Sequence, residues 1–414
     1  MELFVRFPYR NLIVVFSGPL FVLLHSISLF SNSFVVYEAQ IVRFLLQSLV
    51  FLIYLEQMSL APKLRKPYKA ISIWRYFNFD GNLVIVTTIL ACLRTESVFH
   101  KCREEEIGCE LYYPARQTAS LSHDAQIVRL LLAAITLIGT NLAVFKFFSK
   151  NTFTGRRSGT ISVLSAISWP FIAAVIFHSI LISMAHDVSR ANFTAQLIFF
   201  TAIPCAIAAW KERKPMVTVH FLMMPVYLLF GDGMIPALVI FVVLSVLIGK
   251  SVPRESLPSV ISLLIPFGFY HLGHSPVISS IPWNAAFVGI PGGAALRLLP
   301  AAFVLLHLNF SALPAVFVLS SQECLPSPSA PVSSSSAPLA AIGSTLILMT
   351  IRAAFSCLAA SIHRRHLMVW KIFAPKFIFE CVLAIFFLLS VTVTCVIRAF
   401  YERKKIEEKK AKAP

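Results

Sequence analysis

Phe377-Ile-Phe-Glu-Cys-Val-Leu-Ala-Ile-Phe-Phe-Leu-Leu-Ser-Val-Thr-Val-Thr-Cys-Val-Ile-Arg-Ala399 decides the class of this protein. Between Glu380 and Arg398 it carries no charge, and it is long enough to cross the hydrocarbon core of a bilayer, which takes about 20 apolar residues. The same pattern recurs along the chain. Further apolar runs lie at 11–30, 40–58, 77–94, 127–146, 161–184, 194–210, 216–230, 234–249, 257–271, 297–320 and 338–361. Each must be helical, because lipid offers no partner to a free N–H or C=O. The sequence therefore predicts an all-α, polytopic membrane bundle of about twelve transmembrane helices over 1–400, followed by a basic tail, 401–414.

Composition agrees. Of 414 residues, 57% are apolar and only 13% charged. Soluble domains carry about 25% charged residues, so the missing polar surface faces lipid. The net charge of +17 comes in short bursts of Lys and Arg between apolar runs. A nucleic-acid binder would gather that charge on one soluble face. Bursts at Arg6/Arg10, Lys63–Arg75, Lys146–Arg157, Lys211–Lys214, Lys250/Arg254 and Arg403–Lys412 all fall on one side if twelve spans alternate. That side is the cytosol by the positive-inside rule, and both termini lie there.

Three features then fall in the lumen. They are the Cys102/Cys109 pair, a disulfide candidate; the sequon Asn192-Phe-Thr194, a glycosylation candidate; and the acidic run Glu104–Glu106. One loop breaks the rule. Ser361–Phe377 holds Arg364, Arg365, Lys371 and Lys376, yet alternation places it in the lumen. Either a span is miscounted, or these cations pair with headgroups, or they contact a phosphorylated lipid. Cys324–Pro338 is a low-complexity loop. Lys410 and Lys412 have the spacing of a dilysine endoplasmic-reticulum retrieval signal.

The chain offers no catalytic constellation. Its Asp residues are Asp80, Asp124, Asp187 and Asp232, in four separate segments. HExxH, GxSxG and the Gly-rich phosphate loop do not occur. No metal ligands and no cofactor are expected in this chain. Ionisable groups within spans are the remaining place to look. Arg43 and Arg129 lie near span ends, where snorkelling to headgroups is the simplest role. Arg352 lies deeper and suits an interhelical or lipid-phosphate contact. His178 and His220 read as hydrogen-bonded packing. Two segments look built for more than connection: the proline-broken His271–Gly293, with Trp283 and Asn284, and the aromatic, basic His363–Lys376.

These segments carry a family resemblance. His363-Arg-Arg-His-Leu-Met-Val-Trp-Lys-Ile-Phe-Ala-Pro-Lys-Phe-Ile-Phe-Glu380 resembles the C-terminal signature of the GPI ethanolamine phosphate transferases, best that of the transferase 3 (PIG-O) class. Gly273-His274 with Ile281-Pro-Trp-Asn-Ala-Ala-Phe-Val-Gly289, His25-Ser-Ile-Ser-Leu-Phe-Ser-Asn-Ser-Phe-Val-Val-Tyr-Glu38 and Phe99-His-Lys-Cys-Arg-Glu-Glu-Glu106 resemble further segments of that class, in the same order.

The resemblance implies a role in GPI-anchor biosynthesis in the endoplasmic reticulum membrane. There phosphoethanolamine passes from phosphatidylethanolamine to a mannose of the GPI precursor, the third for this class, with a small membrane partner of the PIG-F type. Family members also carry a lumenal domain resembling alkaline phosphatase, with a Thr nucleophile and zinc ligands. Nothing in this chain matches that domain, so no catalytic residue carries over, and the chain alone is expected to be inactive. The resemblance points to Asn32, Glu38, His274, Trp283, Asn284, Arg364, Arg365, His366, Trp370 and Lys371 as residues that bind lipid or substrate. A lipid or solute transporter or scramblase is the alternative, although no convincing repeat relates the two halves, as many transporter folds would show. A non-catalytic partner subunit of GPI-pathway enzymes is a third reading.

Overall fold

The computed structural model describes residues 12–30, 37–60, 81–99, 123–148, 159–182, 188–212, 214–290, 298–321, 336–365 and 372–411. Every long element among them is an α-helix, and no strand occurs. The helices are α1 (Leu12–Ser28), α2 (Glu38–Leu60), α3 (Gly81–Glu96), α4 (His123–Ala143), α5 (Gly159–Ile180), α6 (Val188–Lys211), α7 (Pro215–Phe230), α8 (Ile235–Ser251), α9 (Leu257–His271), α10 (Leu298–Asn309), α11 (Ala312–Ser321), α12 (Ser336–Ile362) and α13 (Ala374–Ala411).

The expected class holds and the expected count does not. Among the described residues, seven helices are long and apolar enough to cross a membrane, or eight if the bent pair α10–α11 is one span. The seven are 38–58, 126–146, 159–180, 190–211, 232–251, 340–362 and 374–397. The run 297–320, which looks like one span, bends by 68° between α10 and α11. The runs at 11–30, 216–230 and 257–271 form shorter apolar helices. At 1.5 Å per residue, α9 reaches only about 22 Å, against about 30 Å of hydrocarbon. The run at 77–94, with Asp80 and Asn82, forms the 16-residue α3 and does not reach the length of a span. The alternation that gathered six basic bursts on one side needed twelve crossings, and it does not follow from seven or eight.

α12 begins at Ser336, and α13 extends from Ala374 to Ala411.

The chain forms two compact units. One comprises Met1–Glu110, Phe241–Ser280 and Asn309–Pro414; the other comprises Leu111–Ile240 and Ile281–Leu308. In the second unit, α6 packs on α7 and α5, and α4 packs on α5 and on the 232–234 turn. Its long helices turn large apolar side chains outward, as lipid-facing surfaces do. Ile135 is 67% exposed and Phe200 78%.

The first unit is organised around α9. All fifteen residues from Leu257 to His271 are buried. A helix that is apolar all round belongs inside a core, and α9 is enclosed by α1, α2, α11 and α12. The enclosure depends on close backbone approach, as small residues permit in lipid. A methyl group on Gly18 of α1 would lie 2.7 Å from Ser259 Cβ. One on Gly268 would lie 2.7 Å from Phe241 Cε2 and 2.8 Å from Ser311 Cβ. Gly268→Ala is therefore expected to destabilise the protein by about 1–3 kcal/mol through overpacking. Thermal unfolding in detergent measures this, and an unchanged midpoint would refute the packing described for α9.

Candidate functional site

The first unit holds a chain of charges inside its apolar core. Five helices supply it. His25 comes from α1, Glu38 from the start of α2, Tyr270 from α9, Arg352 from the middle of α12, and Lys376 and Glu380 from the first turns of α13. Glu38 suits its position, because a carboxylate in a first helical turn faces the positive end of the helix dipole. On α13, Lys376 and Glu380 are one turn apart and therefore share a face.

The contacts form one connected network. Lys376 Nζ donates to both oxygens of Glu38, at 2.6 Å each, and lies 3.3 Å from Tyr270 Oη and from Glu380 Oε1. Tyr270 donates its hydroxyl proton to Glu38 Oε2 at 2.5 Å, and His25 Nε2 donates to Glu38 Oε1 at 2.9 Å. Arg352 Nε donates to Glu380 Oε2 at 2.8 Å, Nη2 donates to the same oxygen, and Nη1 donates to the Ser262 carbonyl at 2.8 Å. His25, Glu38 and Arg352 have no exposed surface, Lys376 is 1% exposed and Glu380 7%. With His25 neutral, two carboxylates balance one ammonium and one guanidinium. Each buried ion carries a desolvation penalty of several kcal/mol, which only good geometry and full hydrogen bonding can offset.

A small, half-open cleft lies against this network. Tyr270, Lys376 and Glu380 form its polar side, and Phe269, Phe379 and Leu383 form its apolar walls. Phe269 and Phe379 face each other with ring centroids 5.9 Å apart. Nearby, His363 stacks on Phe373 at 4.9 Å, and its Nε2 lies 3.2 Å from the Phe30 carbonyl oxygen. This ties the end of α12 to the end of α1.

Of the residues singled out from the sequence, Glu38 sits at the centre of the network. His274 is buried with its ring 5.2 Å from that of Phe269, one residue away from Tyr270. Arg364 and Arg365 are exposed. Asn32, His366, Trp370 and Lys371 lie outside the described residues, as do Cys102, Cys109 and Lys412. Lys410 lies near the end of α13.

Trp283 and Asn284 belong to the second unit, on a short 3₁₀ turn (Trp283–Phe287), and both are exposed. Asn192 lies in the first turns of α6. Its Oδ1 accepts the Gly289 N–H at 3.2 Å, while Gln196 Nε2 donates to the Gly289 carbonyl at 2.7 Å. Gly289 has φ +74°, and a side chain there would lie 3.1 Å from Phe199 Cε2. Arg129 Nε donates to Asp232 Oδ2 at 3.0 Å. That interhelical ion pair replaces the snorkelling role expected of Arg129.

Sequence reasoning alone misses Lys376, Tyr270 and Glu380 as site residues, and it places Lys376 in a connecting loop. The available signal was a lysine and a glutamate four apart at the start of an apolar run, where an ion is tolerated only if paired. Among the described residues, no three His, Cys, Asp or Glu side chains are placed to hold a metal ion.

Fold and site together define a multi-pass helical membrane protein with a neutralised ionic cluster in its core. Comparison with known proteins narrows this. Over 160 aligned positions, covering 29% of this chain and 15% of the relative, the sequence is 36% identical to GPI ethanolamine phosphate transferase 3, catalytic subunit, of Mus musculus. The human protein of the same name is 36% identical over 151 positions, covering 28% of this chain and 14% of the relative. The resemblance read from the residues is thereby borne out, for a stretch that is about a seventh of each relative's length. No family model matches the chain. No solved structure matches it either.

Lys376→Met would leave Glu38 buried without its cation, and the expected loss is about 3–5 kcal/mol. Adding Glu38→Gln in the same protein should recover part of that loss. A double-mutant cycle by thermal unfolding in detergent reads the coupling, and simple additivity would contradict the network.

Proposed function

We propose that this chain provides the membrane-embedded part of a transferase 3-like enzyme of GPI-anchor assembly in the endoplasmic reticulum. One observation carries the reading. Two segments that resemble the transferase 3 class, His25–Glu38 and His363–Glu380, are distant in sequence, and their charged residues converge. His25, Glu38, Lys376 and Glu380 are joined in a single buried cluster. The similarity to the mouse and human proteins supports the same assignment.

On this reading the chain holds the phosphatidylethanolamine donor and the GPI precursor beneath a lumenal phosphatase-like domain, with a small membrane partner of the PIG-F type. The reaction breaks the bond between phosphorus and the glycerol oxygen of the donor and forms a bond from phosphorus to a hydroxyl oxygen of the third mannose. The proton of that hydroxyl ends on the glycerol oxygen, so the products are the modified glycolipid and diacylglycerol. The chain's own residues position lipid for this step. Exposed Arg364 and Arg365, together with Lys371, suit phosphate groups at the headgroup level, and exposed Trp283 suits the interface.

Rescue of transferase 3-deficient mouse cells tests this. A chimera of the mouse protein carrying this chain's matched stretch is expected to restore phosphoethanolamine on the third mannose, read by mass spectrometry of GPI intermediates. Residues 1–414 expressed alone are expected to restore none. A well-expressed chimera without the product, or rescue by 1–414 alone, would overturn the proposal.

A further inference from the structure

The segment 281–290 of the second unit is not α-helical, and its far end, Gly289 and Ile290, is buried. Near a bilayer, such backbone is tolerated only where protein satisfies its polar groups. Part of the segment does so locally: the Ala285 N–H donates to the Pro282 carbonyl at 3.0 Å, and the Ile290 N–H to the Phe287 carbonyl at 3.1 Å. Gly289 turns to α6 instead. Asn192 Oδ1 accepts its N–H and Gln196 Nε2 donates to its carbonyl. Two side chains one helical turn apart therefore hold both polar groups of one residue. The fit needs glycine, because φ is +74° and a Cβ would lie 3.2 Å from Ala195 Cβ as well as against Phe199. Phe199 in turn packs on Phe303 of α10, with ring centroids 5.0 Å apart, so the surface that receives Gly289 is itself held in place.

This contact also sets a height. The stretch of α6 long and apolar enough to cross a membrane begins at residue 190. Asn192 and Gln196 thus belong to its first two turns, and Gly289 is pinned near the bilayer boundary. The turn just before it, Trp283–Phe287, buries Ala285 and Ala286 and leaves Trp283 and Phe287 each 60% exposed. An indole favours the boundary, where its ring meets acyl chains and its N–H meets headgroups. The same height leaves no room for a glycan. Asn192-Phe-Thr194 lies within the crossing stretch, Thr194 is buried, and its hydroxyl donates to the Arg190 carbonyl at 2.9 Å. A glycan acceptor belongs on a surface loop. The chain's other sequon, Asn309-Phe-Ser311, is buried at all three residues.

We propose that Asn192 carries no glycan and acts with Gln196 as a clasp on Gly289, holding the Trp283–Phe287 turn at the headgroup boundary with Trp283 and Phe287 in contact with lipid. The proposal stands apart from the transferase reading and uses none of its chemistry.

The full chain, made in mammalian cells and placed in lipid nanodiscs, tests this. Glycosidase treatment should leave its gel mobility unchanged. So should Thr194→Val, which removes the sequon and leaves the clasp intact. Brominated phosphatidylcholine in the nanodisc should quench Trp283, read as the difference between the full chain and its Trp283→Phe variant. Asn192→Leu should speed hydrogen exchange in the peptide holding Gly289 by about tenfold, as loss of one hydrogen bond implies, and should lower the Trp283 quenching. Asn192→Asp also loses the sequon but keeps the acceptor oxygen, so it should retain slow exchange and full quenching. Should Asn192→Leu not fold, Gln196→Met, which releases the Gly289 carbonyl, serves the same quenching comparison. A glycosidase-sensitive band that Thr194→Val abolishes, exchange and quenching indifferent to the clasp variants, or a Trp283 that brominated lipid does not quench in folded protein would each overturn the proposal.

Discussion

Lipid cannot solvate an ion, and the core of the first unit follows from that. Glu38, Lys376, Glu380 and Arg352 lie where water does not reach, so each must find its counter-charge on another helix or on the next turn of its own. α1, α2, α9, α12 and α13 are held in one arrangement by this requirement as well as by packing. Removing one partner strands another, which is far more costly than losing a surface ion pair. Replacing the whole set with apolar residues would remove the need for it altogether. Retaining so many charges in an apolar core is a burden on stability, and in membranes such burdens coincide with function.

The central helix, α9, shows how membrane and soluble logic combine here. It is apolar on every face and too short to span. It is covered by the longer α1, α2 and α12, whose outer sides carry exposed apolar residues, and by the short α11. Its glycine permits close approach on one side, and its tyrosine reaches the ion cluster on another.

Much of this was legible in the sequence. Charge scarcity and long apolar runs give the helical membrane class, because no other backbone arrangement satisfies itself in lipid except a closed barrel. Arg352 stands out by its depth in an apolar run, and Glu38 by its place in a recognisable segment. The count of spans was not legible. Fully buried α9 and a lipid-facing span have the same composition, and periodicity cannot separate a helix enclosed by protein from one enclosed by lipid. The bend between α10 and α11 is equally silent, since both halves are apolar. Lys376 misled for a related reason: it begins a helix next to a basic loop, and charge counting assigns it to the loop. What the sequence cannot show is which ions meet. Glu38 and Lys376 are 338 positions apart, and nothing local to either names the other. Arg129 and Asp232 pair in the same unannounced way, the aspartate lying in what reads only as a Gly-Asp-Gly turn.

Lys376 is an interior cation locked between carboxylates and not a headgroup-facing loop lysine. Amine acylation footprinting in nanodiscs, read by mass spectrometry, addresses it directly. Lys376 should remain unmodified in folded protein while the exposed Lys250 reacts, and should become reactive only on unfolding. Acylation of Lys376 at the rate of Lys250 in folded protein would contradict the account.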